Sequence, residues 1–109
     1  MAVIDKELNK CLIAIINTYI KKYDRLLAGK KTEDFSIDDA NLNERLLVCK
    51  KLRERYSLYA EDTDQLIELD KDSAFHLWRV LRDCASDDDF EYDLNDLEEL
   101  DKQLYNIRS

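Results

Sequence analysis

Apolar residues recur three and four positions apart along most of the chain. From Val3 to Ala28, Ile4, Leu8, Cys11, Leu12, Ile15, Tyr19, Tyr23, Leu26 and Leu27 form one stripe, the spacing that lines up side chains on one face of an α-helix. Ile13, Ile16 and Ile20 widen that face at mid-length, so this helix is expected to be the central one. Gly29 follows where a positive-φ cap is expected, with Lys30 and Lys31 beside the negative helix end.

Residues 30–37 read as a loop. Asp38 or Asn41 is expected to cap a second helix reaching about Ala60, with Leu42, Leu46, Cys49, Leu52 or Arg53, Tyr56 and Tyr59 as its stripe. Asp62, Thr63 or Asp64 is placed to cap a short third helix ending at Leu69. Asp72 or Ser73 is placed to cap a fourth, reaching about Ala85, with Phe75, Leu77, Trp78, Leu81 and Cys84 inward. The polar run Asp70–Ser73 leaves open whether 62–85 is one bent helix or two. Residues 86–92 are an acidic connector. Asp93 then caps a last helix with Leu94, Leu97, Leu100, Leu104 and Ile107 inward. The expected fold is all-α, a compact bundle of four to five helices forming one domain over residues 1–109.

Composition agrees. Pro is absent and Gly29 is the only glycine, so the positive-φ turns of a hairpin sheet would be hard to make. Leu, Ile, Val and Phe number 31 of 109 residues, enough for a folded core despite 39% charged residues. No apolar run is long enough to cross a membrane, and Asp5, Lys6, Glu7 and Lys10 interrupt any secretory apolar stretch. Cys11, Cys49 and Cys84 form no C-x-x-C pair and fall among apolar residues. They read as buried free thiols of a cytoplasmic protein.

Charge departs furthest from the average. Residues 1–55 carry 12 basic and 9 acidic side chains, whereas residues 56–109 carry 5 basic and 16 acidic. From Asp83 to Asp101 there are ten acids and no base: Asp83, Asp87, Asp88, Asp89, Glu91, Asp93, Asp96, Glu98, Glu99 and Asp101. That is more than capping one helix requires. It points to a protein partner with a basic surface, engaged by an inhibitor or a nucleic-acid mimic whose carboxylates take the place of phosphates. Phe90 and Tyr92 lie within the segment as candidate apolar anchors. Direct binding of nucleic acid is disfavoured, because such binders carry a basic footprint. Lys50, Lys51, Arg53 and Arg55 are the nearest thing to one, and read as a solvated helix face.

An enzyme is not expected. His76 is the single histidine, and no Gly-rich phosphate loop, nucleophile elbow or H-E-x-x-H is present. No cofactor or metal is expected either. Asp87, Asp89, Glu91, Asn95 and Glu98 do fall at positions 1, 3, 5, 9 and 12 of a calcium-binding helix-loop-helix loop, which makes calcium a minor alternative. However, Tyr92 stands at position 6, where the sharp turn calls for Gly. The main alternative is a structural subunit or adaptor that pairs through apolar helix faces, for example as a homodimer. Its motivation is the wide first stripe and the Leu94–Ile107 seam.

Overall fold

Asp5 accepts a hydrogen bond from the Glu7 N–H and starts a single 3-10 turn, Lys6–Leu8. Helix α1 continues from it over Asn9–Ala28. The computed structural model describes residues 2–60 and 64–109. The apolar period beginning at Val3 therefore overstates the helix. Ala2–Val3 is instead a short strand, β1, antiparallel to β2, Glu68–Leu69, with Ala2 opposite Leu69 and Val3 opposite Glu68. The Ile4 N–H adds a bond to the Ile67 carbonyl at 3.0 Å. Ile4 and Leu8 are buried all the same; burial was legible in the period, conformation was not.

Gly29 does not take positive φ. It closes α1 at φ −88°, and the Lys30 N–H reaches the Leu27 carbonyl at 3.1 Å. Helix α2 spans Ile37–Tyr56. Its cap is Ser36, not Asp38 or Asn41. The Ser36 hydroxyl accepts from the Asp39 N–H while the Asp39 carboxylate accepts from the Ser36 N–H, a reciprocal capping box. The helix ends before Ala60 because Ser57 turns left-handed, φ 55° and ψ 46°. This brings Leu58 into the core, fully buried, and leaves Tyr59 exposed.

The short helix expected to end at Leu69 does not form over residues 64–69; its candidate caps Asp62 and Thr63 lie outside the described residues. Leu66 and Glu68 are exposed while Ile67 and Leu69 are buried, the two-residue alternation of extended chain. The Tyr56 hydroxyl holds this segment, accepting from the Glu68 N–H at 3.1 Å. From α1, Asn9 donates to the Gln65 carbonyl at 2.9 Å and Asn17 to the Leu58 carbonyl at 3.0 Å.

Helix α3, Lys71–Ala85, starts two or three residues earlier than expected, because Asp70 accepts from the Ser73 N–H at 2.7 Å. Residues 71–85 are thus one helix preceded by extended chain. Helix α4, Leu94–Arg108, is capped by Asp93 as expected, through the Asn95 and Asp96 N–H groups. Leu97, Leu100 and Leu104 face inward. Leu94 does not: at the first helical position it is 74% exposed. Phe75 and Trp78, expected inward, are only half-buried.

Among the described residues the fold is thus an all-α bundle of four helices. Helices α1 and α3 each touch all three others, and α1 places Leu12, Ile13, Ile15 and Ile16 fully buried in the core. None of the described helices is long and apolar enough to cross a membrane.

Candidate functional site

The acidic segment occupies the last turn of α3, the connector to α4 and the first two turns of α4. Its ten carboxylates divide into two groups. Asp83, on α3, accepts a hydrogen bond from the Tyr19 hydroxyl at 2.9 Å and lies 3.4 Å from Arg45 Nε. Asp87 opens the connector. It pairs with Lys22 of α1 and accepts from the Asp89 N–H at 3.0 Å. The Lys22 ammonium, then the Asp89 N–H, hold the Asp87 carboxyl below its ordinary range. Asp93 is spent on the α4 cap, and Asp101 lies 4.0 Å from Arg82. These four hold the fold together.

The remaining six do not. Among the described residues no cation lies within ion-pair distance of Asp88, Asp89, Glu91, Asp96, Glu98 or Glu99. All but the half-buried Asp96 are exposed. The field of Asp96 and Asp93 reaches the core: burial first, and these two charges next, push the Cys11 thiol up to about 12.

Phe90 and Tyr92 are not protruding anchors. They stack on each other, ring centroids 6.1 Å apart and planes at 7°, and pack half-buried against the core. The exposed apolar residue in this region is Leu94. Shallow clefts flank the Lys22–Asp87 pair. One is lined by Tyr23, Ser86 and Asp88, the other by Thr18, Lys21, Arg25 and Phe90. So the connector sits against the basic side of α1, yet only Asp87 is neutralised there.

The segment that matches a calcium loop is not laid out as one continuous loop. Helix α4 already begins at Leu94, position 8 of the would-be loop, and Asp93 at position 7 is committed to its cap. Among the described residues no three His, Cys, Asp or Glu side chains are grouped closely enough to hold a metal ion. His76 is half-buried, edge-on to Phe75 at 5.5 Å and 3.7 Å from Asp72.

Most of the basic residues of α2 and α3 are engaged within the chain. Lys50 pairs with Asp24 at 2.7 Å, and Arg53 and Arg55 lie over the rings of Tyr59 and Tyr56. Arg82 and Arg108 flank Trp78, 4.2 and 4.4 Å from its centroid, and Arg108 also lies 4.1 Å from the Tyr105 ring. The residue that sequence reasoning missed is Arg45, buried at 9% exposure. Its signal was there: 45, 49, 52 and 56 continue the inward period of α2. Comparison with protein-family models, curated proteins and solved structures finds no match to this chain.

Proposed function

We propose that this protein is a non-enzymatic binding protein that engages a basic surface on a protein partner through Asp88, Asp89, Glu91, Asp96, Glu98 and Glu99. The observation that carries this reading is the absence of any internal counter-ion for these six carboxylates among the described residues, although Lys21 and Arg25 line a cleft beside the connector. Like charges gathered this closely oppose the compact state. The α4 N-terminus offsets that for the acid in its first turn, by roughly 0.3–1 kcal/mol. A basic partner removes the rest of the repulsion and gains long-range steering. An inhibitor standing in for nucleic acid on a phosphate-binding groove is the form this chemistry suits best. The three buried free thiols support a reducing compartment such as the cytoplasm.

Capture with the tagged protein from its native host identifies the partner. Reversal of Asp88, Asp89 and Glu99 to Lys should then weaken binding about tenfold or more and flatten its salt dependence, with helix content unchanged. Unaltered affinity after the triple reversal would sink the reading.

A further inference from the structure

The apolar stripes of α1 and α4, apart from the exposed Leu26 and Leu94, are consumed by the core, so they offer no broad apolar face for pairing. The outer side of α4 carries a different pattern. From the connector to the C-terminus it presents Glu91, Leu94, Glu98, Lys102, Tyr105 and Arg108 in turn. From Leu94 onward these are three or four residues apart and share one side of the helix. The order is acid, apolar, acid, base, aromatic, base. Read backwards, it is its own complement, apart from Asp101, which shares this side of the helix and is paired within the chain to Arg82.

We propose that this face pairs with the same face of a second copy, antiparallel and about a two-fold axis. Glu91 would meet Arg108, Leu94 would meet Tyr105, and Glu98 would meet Lys102, each contact occurring twice. The register is consistent along the helix: the paired positions sum to 199 or 200. A two-fold contact of this kind closes on itself and stops at the dimer.

Three features of the structure support the second copy as occupant. Leu94 and Tyr105 are 74% and 49% exposed, the two large apolar side chains that α4 leaves to solvent. Among the described residues no carboxylate lies within ion-pair distance of Lys102 or Arg108, and no cation within that distance of Glu91 or Glu98. Glu91 and Arg108 cannot meet within the chain, since 15 residues of helix hold the ends about 22 Å apart; Glu98 and Lys102, four residues apart on the helix, are within reach of each other but form no ion pair. Arg108 is also fixed in place by stacking on Trp78 and Tyr105, so little side-chain freedom is lost on pairing. Net charge of −8 opposes association at long range. At 0.15 M salt that repulsion is screened beyond about 8 Å, while pairs in direct contact survive.

One helix face is smaller than the roughly 800 Å² per partner of a standard interface, so the dimer should assemble in the micromolar range. The pairing takes Glu91 and Glu98 from the surface proposed for the basic partner, and leaves Asp88, Asp89, Asp96 and Glu99 free for it. Its test uses the protein alone, by sedimentation equilibrium at 0.15 M salt. The mass should climb from 12.9 kDa toward twice that value as concentration rises. A strict monomer up to about 100 µM, well above the micromolar range, overturns the proposal. Glu98→Lys and Lys102→Glu sit at exposed positions and should each weaken association about tenfold or more. Mixing the two variants turns both contacts back into Lys–Glu pairs, so the equimolar mixture should dimerise again. Failure of the mixture to recover, or variants that dimerise like the parent, overturns the antiparallel register.

Discussion

The Tyr19 hydroxyl donates to the Asp83 carboxylate at 2.9 Å, tying the middle of α1 to the last turn of α3. Arg45 Nε donates to the same hydroxyl at 2.9 Å, so α2 joins at that point. Tyr19 is 1% exposed and the Arg45 side chain 10%. Burial raises the Tyr19 hydroxyl far above its ordinary value, which keeps it protonated and able to donate. The first acid of the acidic segment is therefore a structural tether, and the uncompensated surface begins only at Asp88.

Tyr19→Phe should cost about 1–2 kcal/mol, the usual effect of losing one buried hydrogen-bonding group. Arg45→Ala should cost more, about 2–3 kcal/mol. That is less than for a fully buried pair, because the Asp83 side chain is 37% exposed and water partly screens it. Urea unfolding of both variants measures the order.

Two backbone substitutions should stabilise the protein. Gly29 has ordinary helical φ, and a Cβ built there meets nothing within 4 Å. Gly29→Ala should add about 0.4–1 kcal/mol by restricting the unfolded chain. Ser57 is left-handed, so Ser57→Gly should add about 0.5–1 kcal/mol by relieving the Cβ clash. Thermal melts of each variant against the parent check both.

Burial pushes the Cys11 and Cys84 thiols up to about 12 from an ordinary 9.0, and raises Cys49 as well. A folded-state value raised in this way favours the fold fully below pH 9.0. The contribution is lost as pH rises toward 12, because only the unfolded chain ionises readily. The urea midpoint should therefore fall between pH 8 and pH 10, values bracketing an ordinary thiol. Native protein should resist a thiol-specific reagent at pH 8, while the urea-unfolded chain reacts at all three cysteines. Rapid labelling of the native state would contradict the packing described.

Asp70→Ala and Asp93→Ala should each cost about 1 kcal/mol, since each removes a side-chain cap at a helix start. The Ser73 N–H holds the Asp70 carboxyl below its ordinary 3.8. Its contribution is thus complete above pH 3.8 and lost as pH falls through the lowered value. The difference between parent and Asp70→Ala should shrink in acid, as read from unfolding curves at pH 7 and pH 3.

The period of three and four located the residues that the core uses, because a helix face is a local property of spacing. Ile4, Leu8, Cys49, Leu77 and Leu100 are all buried where that period put them. It failed where a different conformation buries the same residues. Ile4 enters the core from the end of a strand, and Ile67 and Leu69 alternate as extended chain whose backbone partners lie 63 or more residues away in sequence. The Asp93 cap was legible. The Ser36 cap was not, because several polar residues precede α2 and only the Ser36–Asp39 reciprocal bond selects among them.

The sequence by itself determined an all-helical chain, buried thiols and a carboxylate-rich stretch from Asp83 to Asp101, because spacing and composition are local. Only the tertiary structure decided which of those carboxylates are already answered. Asp93 caps α4 locally, but Asp83, Asp87 and Asp101 find Tyr19 and Arg45, Lys22, and Arg82, three arrangements that depend on chain folding. The same packing turned Phe90 and Tyr92 onto the core and Leu94 outward. Counter-ions and apolar contacts are supplied mainly by residues distant along the chain, so the free acidic surface becomes visible only once the helices are in place.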